Sequence, residues 1–132
     1  MGAKILIIDD DQAVQDILAL ILKASGYAVV SALDGITAIQ VARQDVPDLI
    51  ILDLGLPGGN GFLILERIRN LTLLANIPVI VLSANDQASN RKRALDGGAV
   101  TYLQKPISKH ELLTATRQAL GEAAALSSFL TT

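Results

Sequence analysis

Five residues in this chain combine a reactive side chain with a place where an apolar run stops. Asp9 and Asp10 follow Lys4 to Ile8, Asp53 follows Leu49-Ile50-Ile51-Leu52, Ser83 closes Pro78 to Leu82, and Lys105 follows Val100 to Gln104. In open parallel α/β sheets ligands bind outside the carboxyl ends of the strands, so parallel strands would bring all five to one edge. Three carboxylates converging there repel one another, and either a raised pKa or a bound divalent cation relieves the repulsion. With no Cys and a single His in the chain, the oxygen-rich ligand set suits Mg²⁺ better than Zn²⁺. A carboxylate nucleophile with a hard cation, a hydroxyl and an ammonium group makes a site for a phosphoryl group, because the last three neutralise charge on the transferring oxygens. Asp53 is the first candidate for that chemistry. Its strand has no polar alternation and so reads as buried on both faces. The Pro and four Gly within Leu54 to Gly61 allow only a loop after it.

The elements that must position these residues follow in order. Lys4 to Ile8 reads as the first strand. Val14, Ile17, Leu18, Ile21 and Leu22 then keep the spacing of an amphipathic helix, which closes at Ser25-Gly26 with Gly suited to a left-handed cap. Tyr27 to Ala32 gives a second strand, and Asp34 is placed to cap a helix running through Ile39 and Ala42. Pro47 separates that helix from the strand that ends at Asp53. Phe62, Leu65 and Ile68 mark a third helix ending near Leu71, and Pro78 to Ser83 the fourth strand. A polar helix from about Gln87 to Asp96, a short strand from Val100 to Gln104 and a last helix to about Leu120 complete the chain. Ser108 and Glu111 form a capping box at the start of that last helix, and Gly121 stops it. Alternating strands and helices imply an α/β fold, a parallel five-stranded sheet with helices on both faces and right-handed crossovers. The flavodoxin-like, doubly wound order 2-1-3-4-5 fits best, because the first and third strands then meet at the switch point and bring Asp9, Asp10 and Asp53 together.

A length of 132 residues suits one domain, expected over residues 1–121, with 122–132 a tail or truncated linker. Half the residues are hydrophobic but only 3% aromatic, so the core must be aliphatic. Eleven basic against 13 acidic residues give a net charge of -2, which supplies no electrostatic reason for this chain to bind nucleic acid directly. The absence of Cys fits a reducing compartment. No apolar run approaches the ~20 residues a bilayer span needs, so the protein is expected to be soluble and cytoplasmic.

The pair Asp9-Asp10, the run Asp53-x-x-Leu56-Pro57-x-x-x-Gly61, the step Ser83-Ala84 and the run Tyr102-x-x-Lys105-Pro106 together resemble the receiver domain of two-component response regulators, the CheY-like domains, over about residues 3–121. The resemblance implies that Asp53 accepts a phosphoryl group from the phosphohistidine of a sensor histidine kinase or phosphotransfer protein. It implies Mg²⁺ held by Asp10, Asp53 and the backbone carbonyl of Gly55, with Asp9 acting mostly through water. Ser83 and Lys105 would hold the phosphoryl oxygens. Tyr102 would be an aromatic switch reporting to the face of helix 4, strand 5 and helix 5, and the bond before Pro106 would be cis. An output domain or target protein is a further expected partner, and the chain would be a monomer or a phosphorylation-dependent homodimer.

Some positions depart from that pattern. Gly55 has no side chain two places beyond Asp53, and Asn85 stands two beyond Ser83, both positions where the family tunes phosphoryl lifetime. Val100-Thr101 replaces the Asp-Asp that precedes the switch aromatic in the winged-helix branch. Simpler roles compete for several residues: Asp9 or Asp10 as helix caps, although Asp11 is better placed for that; Arg91, Lys92 and Arg93 as a solvated helix face; His110 as a surface residue. Gly58-Gly59-Asn60-Gly61 lacks the rest of a phosphate-binding motif and reads as a flexible turn. Beyond its own phosphorylation and dephosphorylation, no enzyme activity is expected. Two other functions are open to the fold, a Mg²⁺-dependent phosphatase with an aspartyl-phosphate intermediate, as in the haloacid-dehalogenase family, and a flavin-binding module. The first wants a second Asp where Gly55 stands, and the second wants aromatics for ring stacking.

Overall fold

The computed structural model describes residues 2–55, 61–84 and 88–122. The elements run β1 (Lys4–Ile8), α1 (Gln12–Ala24), β2 (Ala28–Ala32), α2 (Gly35–Asp45), β3 (Leu49–Asp53), α3 (Gly61–Asn70), β4 (Val79–Ser83), α4 (Ala88–Asp96), β5 (Thr101–Gln104) and α5 (Lys109–Ala119). All strands are parallel, in the order β2-β1-β3-β4-β5. The doubly wound sheet expected from the sequence is therefore the one formed. The expected elements are all present, with Tyr27, Pro78 and Val100 falling just outside the strands they were expected to begin.

Why the central strands have no polar alternation is visible in the two cores they serve. Side chains of successive strand residues point to opposite faces. Leu6, Ile8, Ile50, Leu52, Val79 and Val81 pack with Ala38 and Ala42 of α2, Ile64, Leu65 and Ile68 of α3, and Ala94 of α4. Their neighbours Ile5, Ile7, Leu49, Ile51, Ile80 and Leu82 pack with Leu18 and Leu22 of α1 and Leu112, Leu113 and Ala115 of α5. Every residue of β3 and β4 is buried. The edge strands β2 and β5 are only partly covered.

Local signals behave as their chemistry dictates. Asp11 caps α1 by accepting the N–H groups of Ala13 and Val14, Asp34 caps α2 through Thr37, and Ser108 and Glu111 complete the capping box of α5. Gly26, at φ +95°, takes the left-handed turn after α1. At Gly61 a side chain is excluded by contact, since a Cβ there would stand 2.7 Å from the Asp53 carbonyl oxygen. One expectation fails in α1: Ile17 is 59% exposed rather than part of the buried stripe, and Gln15, 2% exposed, takes its place inside. None of the helices among the described residues is long and apolar enough to cross a membrane.

Candidate functional site

β1 and β3 are adjacent, with Ile8 opposite Leu52, so the residues that follow each strand's apolar run emerge side by side. One carboxylate oxygen each from Asp9, Asp10 and Asp53 lies within 4.8 Å of the others. Asp9 is fully buried and Asp53 5% exposed, while Asp10 faces solvent. Two buried carboxylates this close need compensation. It comes from Lys105, which follows β5 and whose Nζ lies 2.8 Å from Asp9 Oδ2 and 3.4 Å from Asp53 Oδ1. The Lys105 N–H donates to the Ser83 carbonyl at 2.8 Å, which ties the end of β4 to the lysine. Ser83 itself is buried at that same edge. The bond between Lys105 and Pro106 is cis.

The two oxygens of Asp9 are both engaged, Oδ2 by Lys105 and Oδ1 by the N–H of Asp11 at 2.9 Å. Asp53 accepts the Gly55 N–H at 3.2 Å. Burial pushes the Asp53 carboxyl above the usual carboxylate range; the Gly55 N–H opposes the rise, the Asp9 charge adds to it and Lys105 opposes it. At Lys105 burial works against the charge, but the hydrogen bond to Asp9 and the charges of Asp53 and Asp9 prevail and raise the pKa. The edge therefore holds an excess of negative charge around one cation. An all-oxygen donor set of this kind fits a hard divalent cation such as Mg²⁺. A Cβ on Gly55 would stand 3.6 Å from both Asp53 carboxylate oxygens, so position 55 places no side chain against that carboxylate.

Tyr102 is 3% exposed, and the guanidinium of Arg91 lies 5.0 Å from its ring centre. Arg93 stacks at 4.0 Å over Phe62 of α3, and Lys92 pairs with Asp96 at 2.7 Å. The basic stretch of α4 is thus exposed but two of its three members cover rings, a correction to the simple solvated face. His110 is exposed, as expected. Leu56 to Asn60, Asn85 and the tail from residue 123 lie outside the described residues.

Two features of the edge have no counterpart in the motif reading. Gln15 donates from Nε2 to the carbonyls of Ile7, Asp9 and Ala32; the signal for it was a polar residue at helical spacing from Leu18 and Leu22. Beside Lys105 an apolar groove of about 420 Å³ runs between α1 and the segment after β5, lined by Val14, Ile17, Leu18, Ala84, Lys105, Pro106 and Ile107. The exposed Ile17 belongs to that groove.

The sequence model of one family, the response regulator receiver domain, matches residues 5–117. Among curated proteins, the DNA-binding dual master transcriptional regulator RpaA of Synechocystis sp. is 43% identical over 117 residues, covering 89% of this chain and 48% of that protein. The response regulator MprA of Mycobacterium ulcerans is 38% identical over 120 residues, 91% of this chain and 51% of the relative. The chain thus spans about half the length of these relatives. A putative response regulator from Chloroflexus aurantiacus superposes with a TM-score of 0.87 at 33% identity, covering 92% of this chain and 99% of the other.

Proposed function

The chain belongs to the response regulator receiver domain family, and from that membership we propose that Asp53 is the residue through which this receiver switches. The observation that carries the reading is a single arrangement. The Asp53 carboxylate lies at the end of the central strand, with Lys105 3.4 Å away and the Asp9 and Asp10 carboxylates within 4.8 Å. An oxygen of Asp53 attacks the phosphorus of a phosphohistidine, the phosphorus–nitrogen bond breaks, and the imidazole nitrogen leaves with the electron pair. Lys105 and the Ser83 hydroxyl hold the transferred oxygens. Asp10, Asp53 and the Gly55 carbonyl would hold Mg²⁺, with Asp9, whose two oxygens are already engaged, acting through water. When bound, the cation supplies the positive charge that lowers repulsion between the incoming phosphoryl oxygens and the carboxylates.

Tyr102, inside the sheet edge beneath Arg91, is the residue placed to carry the change to the α4–β5–α5 face. The phosphodonor is a sensor histidine kinase or phosphotransfer protein, and the apolar groove that abuts Lys105 gives such a partner a surface next to the acceptor. Residues 1–121 form the receiver, and 122–132 are a tail or truncated linker; the output is an attached domain, for which the relatives' length leaves room, or a separate target protein. The phosphatase alternative is disfavoured by the site itself, since no acid or base projects from position 55 toward Asp53.

Incubation with Mg²⁺ and acetyl phosphate is expected to add one phosphate, seen by intact mass, and Asp53→Asn to abolish the addition. Undiminished labelling of the Asn variant would refute the assignment.

A further inference from the structure

We propose that Gln15 is a positioning residue for the acidic loop: its buried carboxamide fixes the peptide that carries Asp9 into Asp10 and thereby sets the divalent-cation affinity of the site. The inference rests on the cation reading given above. Gln15 lies in the first turns of α1 and is 2% exposed. Its Nε2 donates to the carbonyl oxygens of Ile7 at 3.0 Å, Asp9 at 3.2 Å and Ala32 at 2.8 Å. Three acceptors facing one atom decide the orientation of the amide, because only its nitrogen carries hydrogens.

The three carbonyls come from three different places that must agree for the loop to keep its shape. Ile7 belongs to β1, Ala32 ends β2, and the Asp9 carbonyl is part of the peptide leading into Asp10. The Ala32 oxygen also accepts the Asp9 N–H at 3.2 Å, and Asp9 Oδ1 accepts the Asp11 N–H at 2.9 Å. The backbone of Asp9 is therefore held from β2, from α1 and by its own side chain. Asp10 differs. Among the described residues its carboxylate has no hydrogen-bond or ion-pair partner, so its aim depends on the peptide that Gln15 holds.

The other end of the carboxamide shows that Gln15 does more than fill space. Gln15 Oε1 is buried and has no hydrogen-bond partner among the described residues. A buried oxygen without a partner is unfavourable, and an aliphatic residue here would avoid that cost. The two hydrogens of Nε2, shared among the three carbonyls, are what an aliphatic residue could not supply.

Magnesium titration of the whole metal-free chain by calorimetry, with thermal melts of the same samples, tests the proposal. Partners that orient metal ligands typically change affinity by about 10–100-fold, so Gln15→Leu is expected to weaken Mg²⁺ binding by at least about tenfold. Gln15→Glu should weaken it further, since an acceptor would then face three acceptors. At saturating Mg²⁺ both should recover most of the wild-type labelling rate with acetyl phosphate. Gln15→Met, unbranched and without donors, replaces Leu should that variant not fold. A variant with a lower melting temperature but unchanged Mg²⁺ affinity would overturn the proposal, because a purely structural role predicts that result. If Asp10→Asn binds Mg²⁺ as wild type does, the cation reading fails; if Asp10→Asn loses binding and Gln15→Leu keeps it, only the role of Gln15 fails.

Discussion

At the carboxyl edge of the sheet Asp9 and Asp53 are 0% and 5% exposed and share one lysine, whereas at the amino edge Lys4, Asp45 and Asp48 meet in the open. There the Lys4 N–H donates to Asp48 at 2.8 Å and its Nζ lies 3.6 Å from Asp45, with side chains 38% and 36% exposed in that ion pair. The same five strands thus end in two kinds of electrostatics. Exposed pairs add little, about 0–1 kcal/mol, and tolerate change. Carboxylates brought together out of water raise the energy of the fold unless something cationic joins them. A chain selected for stability alone would place its acids as at the amino edge. The carboxyl edge instead keeps a standing excess of negative charge, in a cluster of three carboxylates that could hold a metal ion.

Removing the shared cation should separate the two edges most sharply. Lys105→Met leaves Asp9 and Asp53 facing each other with no positive partner. Breaking a fully buried pair costs about 3–5 kcal/mol, and partial exposure of the lysine lowers the expected loss to about 2–3 kcal/mol. At the amino edge, Lys4→Met should cost no more than ~0.5 kcal/mol. Urea unfolding of the two variants checks the contrast, and equal losses would erase it.

Most of this asymmetry could be read from the sequence, because it depends on where apolar runs stop. The uninterrupted apolar runs of the central strands, above all the one before Asp53, required a sheet covered on both faces, and a parallel sheet puts Asp9, Asp10, Asp53, Ser83 and Lys105 on one edge. What the sequence hid lies in α1. Helix residues turn by about 100° each, and the buried centre passes through Leu18, Leu22 and Gln15 rather than the mean of the apolar residues. Ile17 is left on the flank beside the groove, while a polar residue goes inside. Hydropathy cannot anticipate that exchange, since Gln15 is buried by three carbonyls of the backbone and not by its own apolarity. The rings beneath Arg91 and Arg93 were hidden for a similar reason, as Tyr102 and Phe62 come from β5 and α3.

The second test acts on Asp53 itself. Its carboxyl is held above the usual range chiefly by burial. For an acid whose folded pKa is raised, the cost to the fold is present at pH above the folded value and disappears as pH falls below the unfolded one. In metal-free protein at neutral pH, Asp53→Asn is therefore expected to raise the melting temperature by a few degrees, and the gain should shrink toward acid pH. Added Mg²⁺ should stabilise the wild type more than the variant. A lower melting temperature for the variant at neutral pH would mean that its pairing with Lys105 outweighs the burial.

A third test belongs to the amino edge, where Tyr27 is 7% exposed and its hydroxyl donates to Glu122 at 2.7 Å. Burial raises its pKa first, and the hydrogen bond and charge of Glu122 add to the rise, with Arg117 opposing. A phenol is neutral when protonated, so the folded state keeps its proton at a pH where the unfolded chain, at about 10, has begun to lose it. The contribution of Tyr27 is full below that unfolded value and is lost as pH rises through the folded one. Tyr27→Phe removes one hydrogen bond, about 0.5–1.5 kcal/mol at neutral pH, and should flatten the decline of stability above the unfolded value. Because this polar contact is satisfied rather than strained, the Phe variant should leave Mg²⁺ affinity and labelling of Asp53 unchanged. Melts across alkaline pH together with the acetyl phosphate assay measure both, and a change in labelling would show that the amino edge is coupled to the site after all.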